Sequence, residues 1–317
     1  MDAQQRKSKV AWLSVISNTS LVLFKLLVGV FTGSVSIISE AIHSGVDLLA
    51  AVIALIAVRT SGKPADREHP YGHGKVENIS GTIEALLIFA AAAWIIYEAI
   101  HNLLAGKKLE HAALGILVMF VSALANFLIS QMLFKIGKET DSVALQADAW
   151  HLRTDVYTSA GVMIALGIMA FARWKFGVAL TWLDPVAALA VALLILKAAY
   201  DLTLQSARDL LDASLPPEEE AWIRDYIARL SAVRGFHRLR TRKSGAQRFV
   251  ELHLILDADM TVEESHGISE VMTCDIEDRF PNTTVTVHVE PCDGKCTELC
   301  LQGCLLPEAE RAVMQKK

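Results

Sequence analysis

The chain has 317 residues, 53% of them apolar and 21% charged, with a formal net charge of −5 and a mean hydropathy of +0.37. That hydropathy is high for a water-soluble domain of average composition, and the missing basic surplus excludes the electrostatic footprint of a nucleic-acid binder. No Gly-rich phosphate loop or dinucleotide fingerprint occurs, which excludes the common nucleotide-binding classes.

The apolar residues are concentrated in the first two thirds, and the last third is polar and mixed. This shift predicts a membrane domain, residues 1–205, followed by a water-soluble unit, 206–291, and a Cys-containing tail, 292–317. The start, MDAQQRKSKV, is polar and basic and runs into an apolar stretch without a small-residue cleavage site. It reads as a cytoplasmic tail before a first membrane helix, not a cleaved signal.

Crossing a hydrocarbon core of about 30 Å takes roughly 20 mostly apolar residues. Six stretches qualify: residues 10–30, 35–58, 81–102, 112–134, 143–172 and 176–204. Asn18 and Lys25 in the first and Asn126 and Gln131 in the fourth are expected to face protein or a wet cavity, because lipid would not tolerate them. Gly33 and Ser34 mark a very short turn between the first two spans. Orientation follows the positive-inside bias. Arg6, Lys7, Lys9, Arg59, Lys63, Arg67, Lys75, Lys135 and Lys138 lie on one side, against Lys107, Lys108, Arg173 and Lys175 on the other. An even number of spans then places both termini in the cytoplasm.

The second span contains His43 and Asp47, and the fifth contains His151 and Asp155. Residues four apart on a helix project from one face, so each pair offers an imidazole beside a carboxylate. Charges deep in a bilayer cost about 2.5–3.5 kcal/mol each on insertion scales and are rarely kept without a role. Two such pairs make up the ligand set of a tetrahedral Zn(II) site. The bland alternative, one His–Asp hydrogen bond holding each helix, is disfavoured by the repetition of the pattern.

Between spans two and three, ADREHPYGHGK brings together Asp66, His69 and His73 in a loop shaped by Pro70, Gly72 and Gly74. Asp/His/His can hold Zn(II) with an open fourth position, as enzymes also do; the plain reading is a solvated loop that contains histidine.

In the soluble part, Pro216, Pro217 and three glutamates start a helix that runs to about residue 230. Residues 235–241 and 248–256 read as strands around a turn at 243–246, residues 261–279 as a second helix and 283–289 as a third strand. The order αββαβ gives a three-stranded sheet with helices on one face, small enough to gain from metal or dimerisation. His237, His253, His266 and His288 fall in this unit, and Glu290 shares a strand face with His288. They are candidates for a second metal site; otherwise they are scattered surface histidines.

Cys292, Cys296, Cys300 and Cys304 recur every four residues. Cytoplasmic thiols stay reduced, so a structural disulfide is not expected. The tail is either a soft-ligand site for Zn(II) or Cu(I) or a stretch with no fixed ligand geometry.

The two His-x-x-x-Asp pairs, the sequence HPYGHGKVE at 69–77, six spans and a C-terminal αββαβ unit together resemble the cation diffusion facilitator family. The resemblance runs from about residue 8 to Pro291. It implies an α-helical membrane protein with six transmembrane helices and a small α+β, metallochaperone-like cytoplasmic domain. It further implies a homodimer, sited in a plasma membrane such as the bacterial inner membrane, that exports divalent metal in exchange for protons. The family's transport site falls on His43, Asp47, His151 and Asp155, and its loop site on Asp66, His69 and His73. Its cytoplasmic site falls on His237, His253, His266, His288 and Glu290, and a family charge interlock would pair Lys75 with Asp212. His43 stands where many bacterial members carry Asp, as in the zinc-selective eukaryotic members. Glu290 stands where Asp is common, and the four-cysteine tail lies outside the family core.

Zn(II) requires neutral imidazole and ionised carboxylate, so metal and protons compete for the same side chains, and a more acidic exterior protonates the histidines and releases the ion. Two other classes compete with a transporter. One is an intramembrane zinc hydrolase, which lacks here a His-Glu-x-x-His pattern; the other is a membrane metal sensor that binds without moving its ion.

Overall fold

The computed structural model describes residues 3–32, 35–105, 113–177 and 182–315. The turn expected at Gly33 and Ser34, and Lys107 and Lys108 of the charge count, lie outside the described residues. The chain divides into two compact units, Met1–Ala207 and Arg208–Lys317.

The first unit consists of α1 (Ala3–Thr32), α2 (Val35–Ser61), α3 (Lys75–Ala105), α4 (Ala113–Glu139), α5 (Val143–Phe176) and α6 (Leu183–Leu210). All six contain stretches long and apolar enough to cross a membrane. The outward face of the bundle is apolar: Leu27, Leu49, Leu86, Leu128 and Leu193 are each more than half exposed. Such a surface suits lipid and no aqueous fold of this size. Helices α1, α3, α4 and α5 run beyond the expected spans because their polar ends continue the backbone ladder past the apolar core, whereas α6 begins at Leu183, later than the expected residue 176, which closes α5.

Two buried clusters hold the bundle. Val10, Ala11, Leu55, Val58, Leu133, Leu145 and Leu152 join α1, α2, α4 and α5. Ala85, Ile88, Ala92, Ala147, Ile195, Ala199 and Leu202 join α3, α5 and α6. Alanines dominate the second cluster, as expected where helices must approach closely to gain dispersion energy that lipid would otherwise supply. At Gly81 of α3 an added Cβ would lie 2.7 Å from Ser206 Oγ of α6, so a larger residue at this crossing would have to displace that side chain.

Polar groups are placed as hydrocarbon demands. Asn18, Lys25 and Asn126 are buried, as expected; Gln131, expected inside, is exposed. Lys25 Nζ donates to Ser44 Oγ of α2 at 2.8 Å. Glu77, fully buried near the start of α3, accepts from Lys7 Nζ of α1 at 2.6 Å, from Ser61 Oγ of α2 at 2.6 Å and from Ser142 Oγ, one residue before α5. One carboxylate thus ties the ends of four helices. Lys7, which enters the positive-inside count as a tail charge, is an internal counter-ion.

The second unit comprises α7 (Pro217–Ala228), β1 (Gly235–Ser244), β2 (Gln247–Leu256), α8 (Val262–Arg279), β3 (Thr283–Pro291), α9 (Glu298–Gln302) and α10 (Glu308–Met314). Pro217 opens α7 with Glu218, Glu219 and Glu220 in its first turn, and Thr261 caps α8 in a reciprocal capping box with Glu264. The sheet order is β1-β2-β3, with β1 antiparallel and β3 parallel to β2. The hairpin turn is tighter than expected: pairing continues to Ser244 and Gln247, leaving Gly245 and Ala246, with Gly245 at φ +59°.

β2 shows why the site lies where it does. Val250, Leu252, Leu254 and Leu256 pack with Ile223 and Ile227 of α7 and Met272 and Ile276 of α8. Both helices therefore cover one face, and the strand alternation sends His253 to the other. The tail is part of this unit: Phe236 N donates to Gly303 O and Leu305 N to Arg234 O, and Arg234 is itself clamped to Asp257 by two bonds of 2.8 Å.

The Glu77 junction yields a stability prediction. Glu77→Gln leaves the Lys7 ammonium buried without its counter-charge, which costs on the order of 3–5 kcal/mol. Thermal unfolding of the detergent-solubilised protein should show a marked drop, and adding Lys7→Met should return most of it. An unchanged melting temperature in Glu77→Gln would remove the ion pair from the account.

Candidate metal centres

In the membrane unit the two His-x-x-x-Asp motifs meet, but not as each spacing alone suggests. The bonds run between helices: His151 Nε2 of α5 lies 3.2 Å from Asp47 Oδ1 of α2, and His43 Nε2 of α2 lies 3.5 Å from Asp155 Oδ1 of α5. Donor atoms of His43, Asp47 and Asp155 lie within 4.8 Å of one another; His151 reaches that trio through Asp47. A cavity of about 340 Å³ opens on them, lined also by Lys25 and Asn126. Asn126 Nδ2 of α4 donates to Asp155 Oδ2 at 3.2 Å, a positioning contact the sequence reading passed over. The His43 side chain is half exposed, whereas those of Asp47 and His151 are nearly buried, so His43 stands at the mouth and His151 behind. Sequence reading also missed Glu84 of α3 and Asp148 of α5, both fully buried; an acid inside a spanning stretch was the available signal.

In the loop, Asp66 gathers both histidines, with Oδ1 3.2 Å from His69 Nδ1 and Oδ2 3.3 Å from His73 Nε2. The backbone N–H of His69, with help from its ring and the Glu68 N–H, holds the Asp66 carboxyl below its ordinary pKa. A carboxylate kept ionised and two imidazoles form a three-donor set that can take a divalent ion.

On the helix-free sheet face, register builds a row of histidines. His237 of β1 pairs with His253 of β2, and His253 with His288 of β3. Glu290 sits at the centre: Oε2 lies 3.1 Å from His237 Nε2, and Oε1 2.7 Å from His253 Nδ1 and 3.6 Å from His288 Nε2. The bonded His253 ring, then His237 and His288, holds its carboxyl below the usual range against the opposing effect of burial. The bulge after His237, with Arg238 at φ +51°, sets the strand's path at this point. His237, His253 and Glu290 supply three donors within 4.8 Å of one another, and the buried His237 Nδ1 has no hydrogen-bond partner. Imidazole and carboxylate donors at this separation fit a divalent metal ion. His266, on α8, stands outside that trio and meets Glu270 at 3.9 Å; its spacing in sequence carried no information about its face. Lys75 opens α3, and Asp212 follows α6 at φ +55°, 3.5 Å from Arg242.

Six membrane-spanning helices, a buried His/Asp cluster open to a cavity and an αββαβ unit with a His/Glu cluster on its sheet are the features of a membrane metal transporter class. Residues 11–211 match the model of the cation efflux transmembrane domain, and residues 215–292 that of the cation efflux protein cytoplasmic domain. The chain belongs to the cation efflux, or cation diffusion facilitator, family. It is 35% identical to the uncharacterized transporter sll1263 of Synechocystis sp., over 89% of each chain. It is 31% identical to the cation-efflux pump FieF of Citrobacter koseri, over 92% of this chain and 97% of that one. Among solved structures, the Zn form of the putative zinc transporter CzrB is 36% identical, covering 26% of this chain and 96% of that chain at a TM-score of 0.24. The chain is thus an integral membrane protein of a family that moves divalent cations out of the cytoplasm.

The sheet geometry separates His253 from His266. A ligand that binds only the folded unit stabilises it by about 2.7 kcal/mol at a hundredfold excess over its dissociation constant. Added divalent metal should raise the melting temperature of the cytoplasmic unit's transition relative to chelator. His253→Ala should abolish that rise and His266→Ala should leave it; the reverse order would displace the site from the sheet face.

Proposed function

We propose that the protein exports Zn(II) from the cytoplasm in exchange for protons, through the site formed by His43, Asp47, His151 and Asp155. It works as a homodimer in a plasma membrane such as the bacterial inner membrane, with both termini in the cytoplasm. The observation that carries the reading is the pair of cross-helix His–Asp contacts at an open cavity.

Charge balance supports the exchange. Two carboxylates neutralise one divalent ion, and when the ion leaves, two imidazolium groups neutralise the same carboxylates. Either loading leaves little net charge in a medium where charge is costly. Two imidazoles and two carboxylates also suit tetrahedral Zn(II). All four ligands lie on α2 and α5, which share one apolar core with α1 and α4. That block can tilt against α3 and α6 with every peptide group still bonded within its helix, so the site alternates between two aqueous sides without being dismantled. The loop site collects the ion in this scheme. The sheet site senses cytosolic zinc or ties two protomers together, and the Lys75–Asp212 pairing belongs to the same proposal.

Zn(II) flux into sealed proteoliposomes, driven by a proton gradient, tests the reading and separates a transporter from a sensor or an intramembrane hydrolase. Asp155→Ala should abolish flux, because it removes a ligand, half the negative charge and the partner of Asn126, while the protein still inserts. Wild-type flux in a folded Asp155→Ala protein would refute the assignment.

His43, at the cavity mouth, controls the ligand chemistry most exposed to the incoming ion. His43→Asp makes the set richer in oxygen, which the larger Cd(II) tolerates better than Zn(II) does. The Cd(II)/Zn(II) flux ratio should rise with Zn(II) transport retained; an unchanged ratio would place selectivity in the groups around the ligands.

A further inference from the structure

The four tail cysteines have no part in the transport scheme, yet their placement is specific. Cys292, Cys296, Cys300 and Cys304 line one cavity of about 130 Å³, and His237 and Glu290 line it too. The segment is fixed at both ends. Cys292 N donates to the carbonyl of Leu256, the last residue of β2, and Cys304 bridges to Gly235 of β1. Between them Thr297 caps α9 by accepting from Cys300 N. Gly303 makes the seat possible: an added Cβ there would lie 1.6 Å from Phe236 O, so only glycine lets the tail reach the strand.

We propose that these four cysteines form a soft-metal site on the cytoplasmic unit, adjoining the His–Glu cluster and sharing its cavity. Thiolates are soft ligands that take Zn(II), Cd(II) or Cu(I), and a four-thiolate shell is a closed, structural type of zinc site. The thiols stand around the cavity, and metal–sulfur bonds of about 2.3 Å draw them inward. Each sulfur binds as thiolate, its proton passing to solvent, with no change of oxidation state. Arg311 also lines the cavity, and its buried Nε has no hydrogen-bond partner. A guanidinium facing thiols fits an anionic metal–thiolate centre.

Because the tail folds onto β1 and its cavity includes His237 and Glu290, metal held by the thiols lies beside metal held by the sheet. The tail thereby extends the sheet site's donor set from nitrogen and oxygen to sulfur.

Co(II) added to the reduced full-length protein tests this, because thiolate ligation gives an intense near-ultraviolet charge-transfer band that imidazole and carboxylate do not. The band should appear in the wild type and persist in Cys274→Ser, whose thiol is exposed elsewhere on α8. It should vanish when all four tail cysteines become Ser. Gly303→Val keeps every thiol but unseats the tail, and should weaken the band sharply. Bleaching by Zn(II) or Cd(II) identifies a divalent site, and bleaching by Cu(I) alone a monovalent one. No band in the reduced wild type, or a band that survives the quadruple change in protein with a normal melting curve, overturns the proposal.

Discussion

An ionisable side chain in a lipid-facing bundle has no water to turn to, so it must find its partner on another helix. Helix association in lipid lacks the hydrophobic drive available in water. The apolar cores of this bundle, one of them Ala-rich, supply close packing, and polar pairs supply direction. Two kinds of pair result. At Glu77 the partners are buried and come from several helices at once, so separating them strands a charge. At the second cluster His43, Asp47 and Asp155 face a cavity, with His151 behind Asp47, and in the proposed transport scheme a divalent ion replaces each imidazole–carboxylate contact with metal–ligand bonds. The first kind fixes the scaffold, and the second is exchangeable.

The sheet solves the same ligand problem by register. Strands β1, β2 and β3 place one histidine each in a continuous row, and the period of two then brings Glu290 onto the face of His288. Putting both helices on the opposite face is what leaves that row open. A shift of one residue in β2 would send His253 into the core and Leu252 or Leu254 out to the metal face, so hydrophobic burial fixes the site as firmly as it fixes the fold.

These origins explain what was legible in the sequence. The His-x-x-x-Asp spacings could be read because a helix turns spacing directly into a shared face. The strands could be read from alternation and the start of α7 from the paired prolines. What spacing cannot supply is the partner across a tertiary contact. Spacing joins the two pairs in one four-ligand set, but it does not say that His151 meets Asp47 and His43 meets Asp155 across α2 and α5. Lys7 read as a tail charge and Gln131 as an inward group, because neither segment announces which face packs. His266 is grouped with the other histidines by composition and by the family resemblance, neither of which fixes where α8 turns its side chain. The seat of the tail depends on a missing Cβ at Gly303, which no periodicity reveals.

Charge accounting relates the donor sets to their surroundings. In the membrane, two carboxylates against one divalent ion leave nothing over, as a low-dielectric setting requires. On the sheet, Glu290 is the single carboxylate among three histidines, and a bound divalent ion leaves one positive charge over, which water at the domain surface tolerates. Four thiolates around a divalent ion leave two negative charges over, and they share their cavity with Arg311 and with the positive sheet site. The excesses of the adjoining sites therefore oppose one another. Under the proposal that both sites bind metal, loading either with a cation would favour loading the other, because an anionic thiolate centre would stabilise an ion at His237 and Glu290.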